Sequence, residues 1–400
     1  VATGSASSAG MGTASPLALM PLPGPLLGPL ARSLTLDPDS GTVSNAEAAK
    51  NATRPTSAAR LSSLGRRTGY RLDYHDPTGA ALVEGHGLLR VSTEVDRYRD
   101  EGATSAGLVF VRDDALSVAS LASSLLEVRI SPFAPGKLGE QSFGLMGTVV
   151  PKGERPGYEV DVGFRTGPYL ASVSVSAAAP VGLRSLAQAL ASKLEKRVAG
   201  VLRGRVSGSP VTLPSKLKAG PPPHGPDLSR LALSPGDLGS GKVSHEGYQV
   251  DADLEPISEY DRHMEPAGPF PILDSEVALF HSPIEASYTT GFAIGGFGST
   301  TEVRWVFGQS IAGVKITTVT SKPVAVTGRG VDEARALVVT IRLADGERLD
   351  ILFAAVRKGS TVDLLTAFSP LGQAIAPAAL RNLVSIAARR LNGGSRGNIA

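Results

Sequence analysis

Two kinds of hydrophobic pattern run along this chain. "VDVGFRTGPYLASVSVS" (160–176) and "LFAAVRKGSTVDLLTAF" (352–368) each read as strand, tight Gly-containing turn, strand. "TEVRWVFGQSIAGVKITTV" (301–319) and "ARALVVTIRLADGERLDILFAAV" (334–356) add alternating strands, with Asp345-Gly346 as a hairpin turn signal. Helical spacing appears in "APVGLRSLAQALASKL" (179–194), where Leu183, Leu186, Leu190 and Leu194 share a face. It recurs in "APAALRNLVSIAARRL" (376–391) through Leu380, Leu383, Ala387 and Leu391. Pro180 and Pro377 sit just before these helices, where a missing N–H matters least. Residues 104–137 are poorer in strand character and read as looser.

These patterns repeat. The two helices align from 179 to 376, and the two strand pairs from 160 to 352, with Arg165 and Gly167 falling on Arg357 and Gly359. "GEQSFGL" (139–145) then lies over "VDEARAL" (331–337). Upstream, "LTLDP" (34–38) matches "LALSP" (231–235), "GTVS" (41–44) matches "GKVS" (241–244), and "GYRLDYHDP" (69–77) pairs with "SEYDRHMEP" (258–266). The expected fold class is α+β: two similar domains from an internal duplication, each an antiparallel-rich sheet with a closing C-terminal helix on one face. The expected boundaries are a disordered Pro/Ala/Gly-rich tether (1–30), a first repeat (31–204), a Pro-rich linker (205–227), a second repeat (228–393) and a disordered tail (394–400).

Composition narrows the class. The 46 glycines and 29 prolines of this 400-residue chain imply long connections around compact parts. Forty basic against 37 acidic residues leave a net charge of +3, too little for a general nucleic-acid field. The absence of cysteine excludes disulfides, thiolate metal sites and Cys nucleophiles. No apolar run approaches the ~18 residues a transmembrane helix needs, so none is expected. The apolar but Pro-interrupted "PLALMPLPGPLLGPL" (16–30) suits a tether behind a removed export signal, or a disordered start.

The motifs "LGEQS" (138–142), "FRTG" (164–167) and the helix 182–198, with "VRKG" (356–359) and the helix 379–391 in the second copy, resemble uncharacterised secreted lipoprotein-like domains of actinobacteria. They are more loosely similar to the extracellular sensor domains of mycobacterial serine/threonine kinases. The chain departs from that group in lacking a lipid-bearing Cys. The resemblance implies an exported, non-enzymatic, ligand- or partner-binding role.

Candidate chemistry is sparse. "SPGDLGSGKVS" (234–244) carries most of a P-loop, but Val243 stands where a Ser or Thr must hold Mg²⁺, and the matched "GTVS" lacks the Lys. His75 and His263 each lie beside acidic residues, and "DADLEPISEYD" (251–261) concentrates carboxylates without EF-hand spacing. Polar strand edges and a solvated acidic loop explain both. "GFAIGGFGST" (291–300) reads as a flexible flap over an apolar pocket or a loose hairpin connection. Arg165 and Arg357 either face an anionic ligand or pair with a carboxylate near a turn.

The leading expectation is therefore an extracellular or envelope-associated binding protein for a small or lipidic ligand or an envelope protein, with no catalytic residue, metal or cofactor. Its ligand-binding candidates are Tyr260, Phe292, Phe297 and Trp305. One alternative is a hydrolase or metal-dependent enzyme using His245, His263 and the carboxylates near 251–263. The other is a purely structural or interaction module.

Overall fold

Alternating residues build two antiparallel sheets, and the computed structural model describes residues 16–123, 125–215, 219–222, 225–249, 257–297, 310–311 and 313–394. The first half holds β1 (Thr35–Leu36), β2 (Gly41–Val43), β3 (Arg66–His75), β4 (Leu88–Tyr98), β5 (Leu126–Phe133), β6 (Gln141–Pro151), β7 (Gly157–Thr166) and β8 (Tyr169–Ala177). Its helices are α1 (Gly24–Leu27), α2 (Asn45–Lys50), α3 (Ala58–Ser63), α4 (Ala80–Glu84), α5 (Glu101–Ser117) and α6 (Leu183–Leu202). The second half holds β9 (Gly241–Gln249), β10 (Ser258–Ala267), β11 (Ile272–Leu279), β12 (Ser310–Ile311), β13 (Val314–Val324), β14 (Glu333–Leu343), β15 (Arg348–Lys358) and β16 (Thr361–Phe368). Among the described residues two helices accompany them, α7 (Pro283–Phe297) and α8 (Pro377–Gly394).

The fold is α+β with two sheet-rich halves. The first sheet runs β1-β3-β4-β8-β7-β6-β5, with β2 also on β3, and the second runs β12-β13-β14-β15-β16-β11-β10-β9. The orders β3-β4-β8-β7-β6-β5 and β10-β11-β16-β15-β14-β13 coincide. Each sheet is covered on both sides. In the first, Val160, Val162 and Phe164 of β7 and Val173 and Val175 of β8 meet Leu183, Ala187, Leu190 and Leu194 of α6. Across the sheet, Phe143, Leu145 and Leu170 meet Ala103 and Leu108 of α5. In the second, Leu352, Ala354 and Val356 of β15 pack toward Leu380, Val384 and Leu391 of α8. Ile351, Phe353 and Ala355 of the same strand pack toward α7. That two-sided burial is why β15 reads as a continuous apolar run.

Residues 16–32 correct the expected tether. Leu17, Met20, Leu22 and Leu27 are buried in the first core. The prolines between them forbid a long helix but suit the short 3-10 and α turns seen here. The Leu22 N–H donates to the buried Thr93 Oγ1 on β4 (3.1 Å), and Lys193 Nζ and Arg197 Nε of α6 donate to the Leu26 and Pro21 carbonyls. In the second half the Leu233 N–H likewise donates to Ser275 Oγ on β11 (3.0 Å). These bonds tie the segment around Leu22 to β4 and the segment around Leu233 to β11. Residues 1–15 and 395–400 lie outside the described residues. Within the expected linker, Val206, Val211 and Leu213 pack on the first core.

The stretch 291–300 is also corrected: as far as Phe297 it is helix, not flap or hairpin. Its glycines serve close packing. A Cβ on Gly295 would stand 2.6 Å from Leu126 Cβ, and one on Gly291 would stand 2.8 Å from Pro151 Cβ. The face of α7 bearing Gly291 and Gly295 thereby lies against the first half, while Ala286 and Ile294 face the second sheet. Ser123 Oγ donates to the Gly295 carbonyl (2.7 Å), and Arg335 Nη2 pairs with Glu154 (2.7 Å) across the same seam.

Candidate functional site

The α5-side face of the first sheet is where alternation leaves polar groups. Register across β3, β4, β8 and β7 sets out three rows: Arg71–Glu94–Ser172–Gly163, Asp73–Ser92–Ser174–Asp161 and His75–Arg90–Ser176–Glu159. The helix α5 covers the end of this face near Tyr98 and Leu170. At the other end the second half contributes: the hydroxyl of Tyr288 on α7 fills the space a side chain at Gly157 would need. Between them the four serines, Glu94 and Asp161 are half-buried.

The charges on the β3–β4 side are mutually engaged. Arg66, only 2% exposed in its side chain, pairs with Asp96 (2.7 Å) and Glu94 (3.4 Å) and donates to Asn45 Oδ1 (2.8 Å). Arg90 Nε donates to both carboxylate oxygens of Asp73 (2.8 and 2.9 Å). Glu94 lies between one carboxylate, Asp96, and two arginines, Arg66 and Arg71. Burial, and then the Asp96 charge, push its carboxyl up to about 8 against the pull of Arg71 and Arg66. Burial followed by repulsion from Glu159 raises Asp161 well above the carboxylate range, opposed by a hydrogen bond with Ser174. Burial and the nearby Glu159 push the Tyr288 phenol up to about 12.

Ser174 Oγ donates to Glu159 Oε1 (2.6 Å). Ser92, Ser172, Ser176 and the Tyr288 hydroxyl make no hydrogen bond with a described residue, and their oxygens are not among the buried unpartnered atoms, so they are open to solvent. The face therefore offers carboxyls whose burial favours the protonated form beside hydroxyls free of protein partners, an arrangement suited to binding through hydrogen bonds.

The sequence-predicted residues lie elsewhere. Tyr260 is buried on the α8 side of the second sheet, donating to Glu246 Oε2 (2.7 Å), with its ring edge-on to Tyr248 at 5.0 Å. Phe297 sits on the opposite side of that sheet, stacked on Phe353 at 4.2 Å. Phe292 is half-buried on α7, and Trp305 lies outside the described residues. The period of two along β10 keeps Tyr260 away from the α7 aromatics. The neighbours His245, His263 and Asp274 do form a cross-strand row on β9, β10 and β11. His263 bonds Asp274 through Nδ1 and Glu265 through Nε2 (3.1 Å). Among the described residues no group of three or more His, Asp or Glu is placed to hold a metal ion.

Arg165 and Arg357 are pins. Glu140 pairs with Arg165 and accepts the Gly167 N–H (3.0 Å); Asp332 pairs with Arg357 (3.3 Å) and accepts the Gly359 N–H (2.7 Å). Both turn glycines hold positive φ, +55° and +58°, which L side chains rarely adopt. The P-loop-like stretch is a 3-10 turn at Pro235–Leu238 followed by a strand carrying exposed Lys242. No helix receives a phosphate there. Instead Arg390 of α8 grips Ser234 and Asp237. A cavity of about 600 Å³ lies beside this clamp, walled by Asp227, Arg230, Asp237, Arg389 and Arg390. Its two carboxylates already engage Arg230 and Arg390, so it offers fewer free groups than the first-sheet face.

No protein-family model matches the chain, and the comparison with curated proteins returns no match. Among solved structures, the extracellular domain of PknH from Mycobacterium tuberculosis is similar at 10% identity and a TM-score of 0.32, over 45% of this chain and 95% of its own. The di-domain ARO/CYC StfQ from the steffimycin biosynthetic pathway is similar at 8% identity and a TM-score of 0.13, over 91% and 95%. At these scores neither likeness carries any property over to this chain. Among the described residues no helix is long and apolar enough to cross a membrane.

Proposed function

We propose that this chain is an exported or envelope-associated, non-enzymatic binding protein built from two copies of one α+β domain, each closed by its C-terminal helix, and that its ligand sits on the α5-side face of the first sheet. The shared strand order, the paired Arg165 and Arg357 pins, and the matched Leu22–Thr93 and Leu233–Ser275 bonds support the duplication. One observation carries the binding role: half-buried carboxyls and unpartnered hydroxyls occupy a sheet face where apolar side chains would stabilise more. Stability alone gives no reason to keep them. Native mass spectrometry of protein purified from its own host tests this. A mass above that of the bare chain, lost in a Glu94→Ala/Asp161→Ala double variant, is expected. Bare chain in every preparation of wild-type protein sinks the reading, and favours a purely structural or interaction module.

The row His245–His263–Asp274 favours a second reading, a hydrolase or metal-dependent enzyme. Calorimetric titration with Zn²⁺ and Mn²⁺ separates the two: heat that disappears in His263→Ala supports the enzyme, and none removes its metal form.

A further inference from the structure

We propose that the first-sheet site is composite: Tyr288 of the second half, together with Ser174, Ser176 and Glu159 of the first, holds an uncharged polyhydroxylated ligand, a saccharide or polyol. This rests on the binding role proposed above and names its ligand class. It also makes the second half part of the site.

The placement of Tyr288 has three supports. Its helix is fixed against the first half by the close approaches at Gly291 and Gly295 and by Arg335–Glu154. Its hydroxyl stands over Gly157 at the start of β7, two residues from Glu159 along the strand. Glu159 in turn accepts from Ser174 and sits opposite Ser176 across the β7–β8 ladder. One end of the face is thus closed by a phenol from α7, and the floor is built of hydroxyls and carboxyls from β7 and β8.

The ligand class follows from what these groups can exchange. Hydroxyls donate and accept, and a protonated carboxyl does both, so the face suits a partner whose own groups do the same at short intervals. Tyr288, Ser92, Ser172 and Ser176 are all unengaged by described residues. A carboxylate- or phosphate-bearing ligand would meet the carboxyl of Glu159, which sits among Ser174 and Ser176. A simple cation would leave the free hydroxyls without acceptors of their own protons. A polyol satisfies donors and acceptors together, and the Tyr288 ring adds an apolar surface for C–H groups.

Isothermal titration of the full chain with glucose and maltose tests this, with spermidine and decanoate as the cationic and amphiphilic arms. Binding of at least one saccharide is expected, weakened about tenfold in Tyr288→Phe, which keeps the ring and removes one hydrogen bond. Ser176→Ala, from the other half, is expected to weaken it similarly. Unchanged saccharide affinity in Tyr288→Phe overturns the composite site. Binding of spermidine or decanoate with no saccharide response at millimolar concentration overturns the ligand class. A host ligand that co-purifies with wild type and equally with Tyr288→Phe sinks this inference while leaving the binding role in place.

Discussion

Thr93→Val probes the placement of residues 16–22. Thr93 is fully buried on β4, and its Oγ1 accepts the Leu22 N–H at 3.1 Å. Valine has nearly the same shape and suits a strand, so packing and strand preference barely change. What changes is one buried N–H left without an acceptor, which destabilises by about 1–3 kcal/mol. For a unit of roughly 150–250 residues this lowers the melting temperature by about 2–12 °C. The assay must report on the first half. The single Trp of the chain, Trp305, belongs to the second, so its fluorescence is the wrong probe. Urea unfolding followed by hydrogen exchange of peptides from β3, β4 and α6 reads the relevant transition. Thr93→Ser, which keeps the oxygen and loses the methyl, separates the hydrogen bond from packing. If Thr93→Val matches wild type to within about 0.3 kcal/mol, and residues 16–22 exchange no faster, the leading segment is not held as described.

Three further outcomes are expected. Glu94 keeps its proton in the folded state to about pH 8, whereas the unfolded chain releases it near 4.5. Between those values the folded state binds more protons, so stability falls as pH rises through the window and levels off above it; Glu94→Gln should flatten the urea midpoint measured from pH 4.5 to 8. Gly295→Val forces a side chain into Leu126, destabilising by about 1–3 kcal/mol and opening the seam; faster hydrogen exchange in both α7 and β5 is the expected sign. Glu140→Gln removes a charge from the Arg165–Gly167 pin, and because Glu140 is 46% exposed the loss is modest, about 0.5–1 kcal/mol by thermal unfolding.

Much of the architecture is legible in local pattern. The alternation of 160–176 and 352–368 and the stripes of Leu183–Leu194 and Leu380–Leu391 reappear as strands and helices. The polar face is legible in part: "VSTEVD" and "ASVSVS" alternate valine with serine and carboxylate, so a polar side must exist. What alternation omits is which neighbour that side meets. Tyr260 and the α7 aromatics fail to converge for the same reason, since proximity in sequence says nothing about which side of a sheet each occupies. Residues 16–30 mislead because proline suppresses the periodic signal while leaving Leu17, Met20, Leu22 and Leu27 free to pack.

Secondary structure, turn chemistry and the recurrence of one pattern reside in the order of residues, because period and propensity act over a few neighbours. The glycines of "GFAIGG" show where that ends. Locally they weaken a helix and suggest a loop; in the folded chain they let α7 approach Leu126 and Pro151 closely enough to join the halves. Burial that raises Glu94 and Asp161, the pairing of Arg357 with Asp332, and the arrival of Tyr288 over Gly157 all depend on strands far apart in the chain lying side by side. Charge, solvation and contact are set by neighbours in space, and only the tertiary structure supplies them.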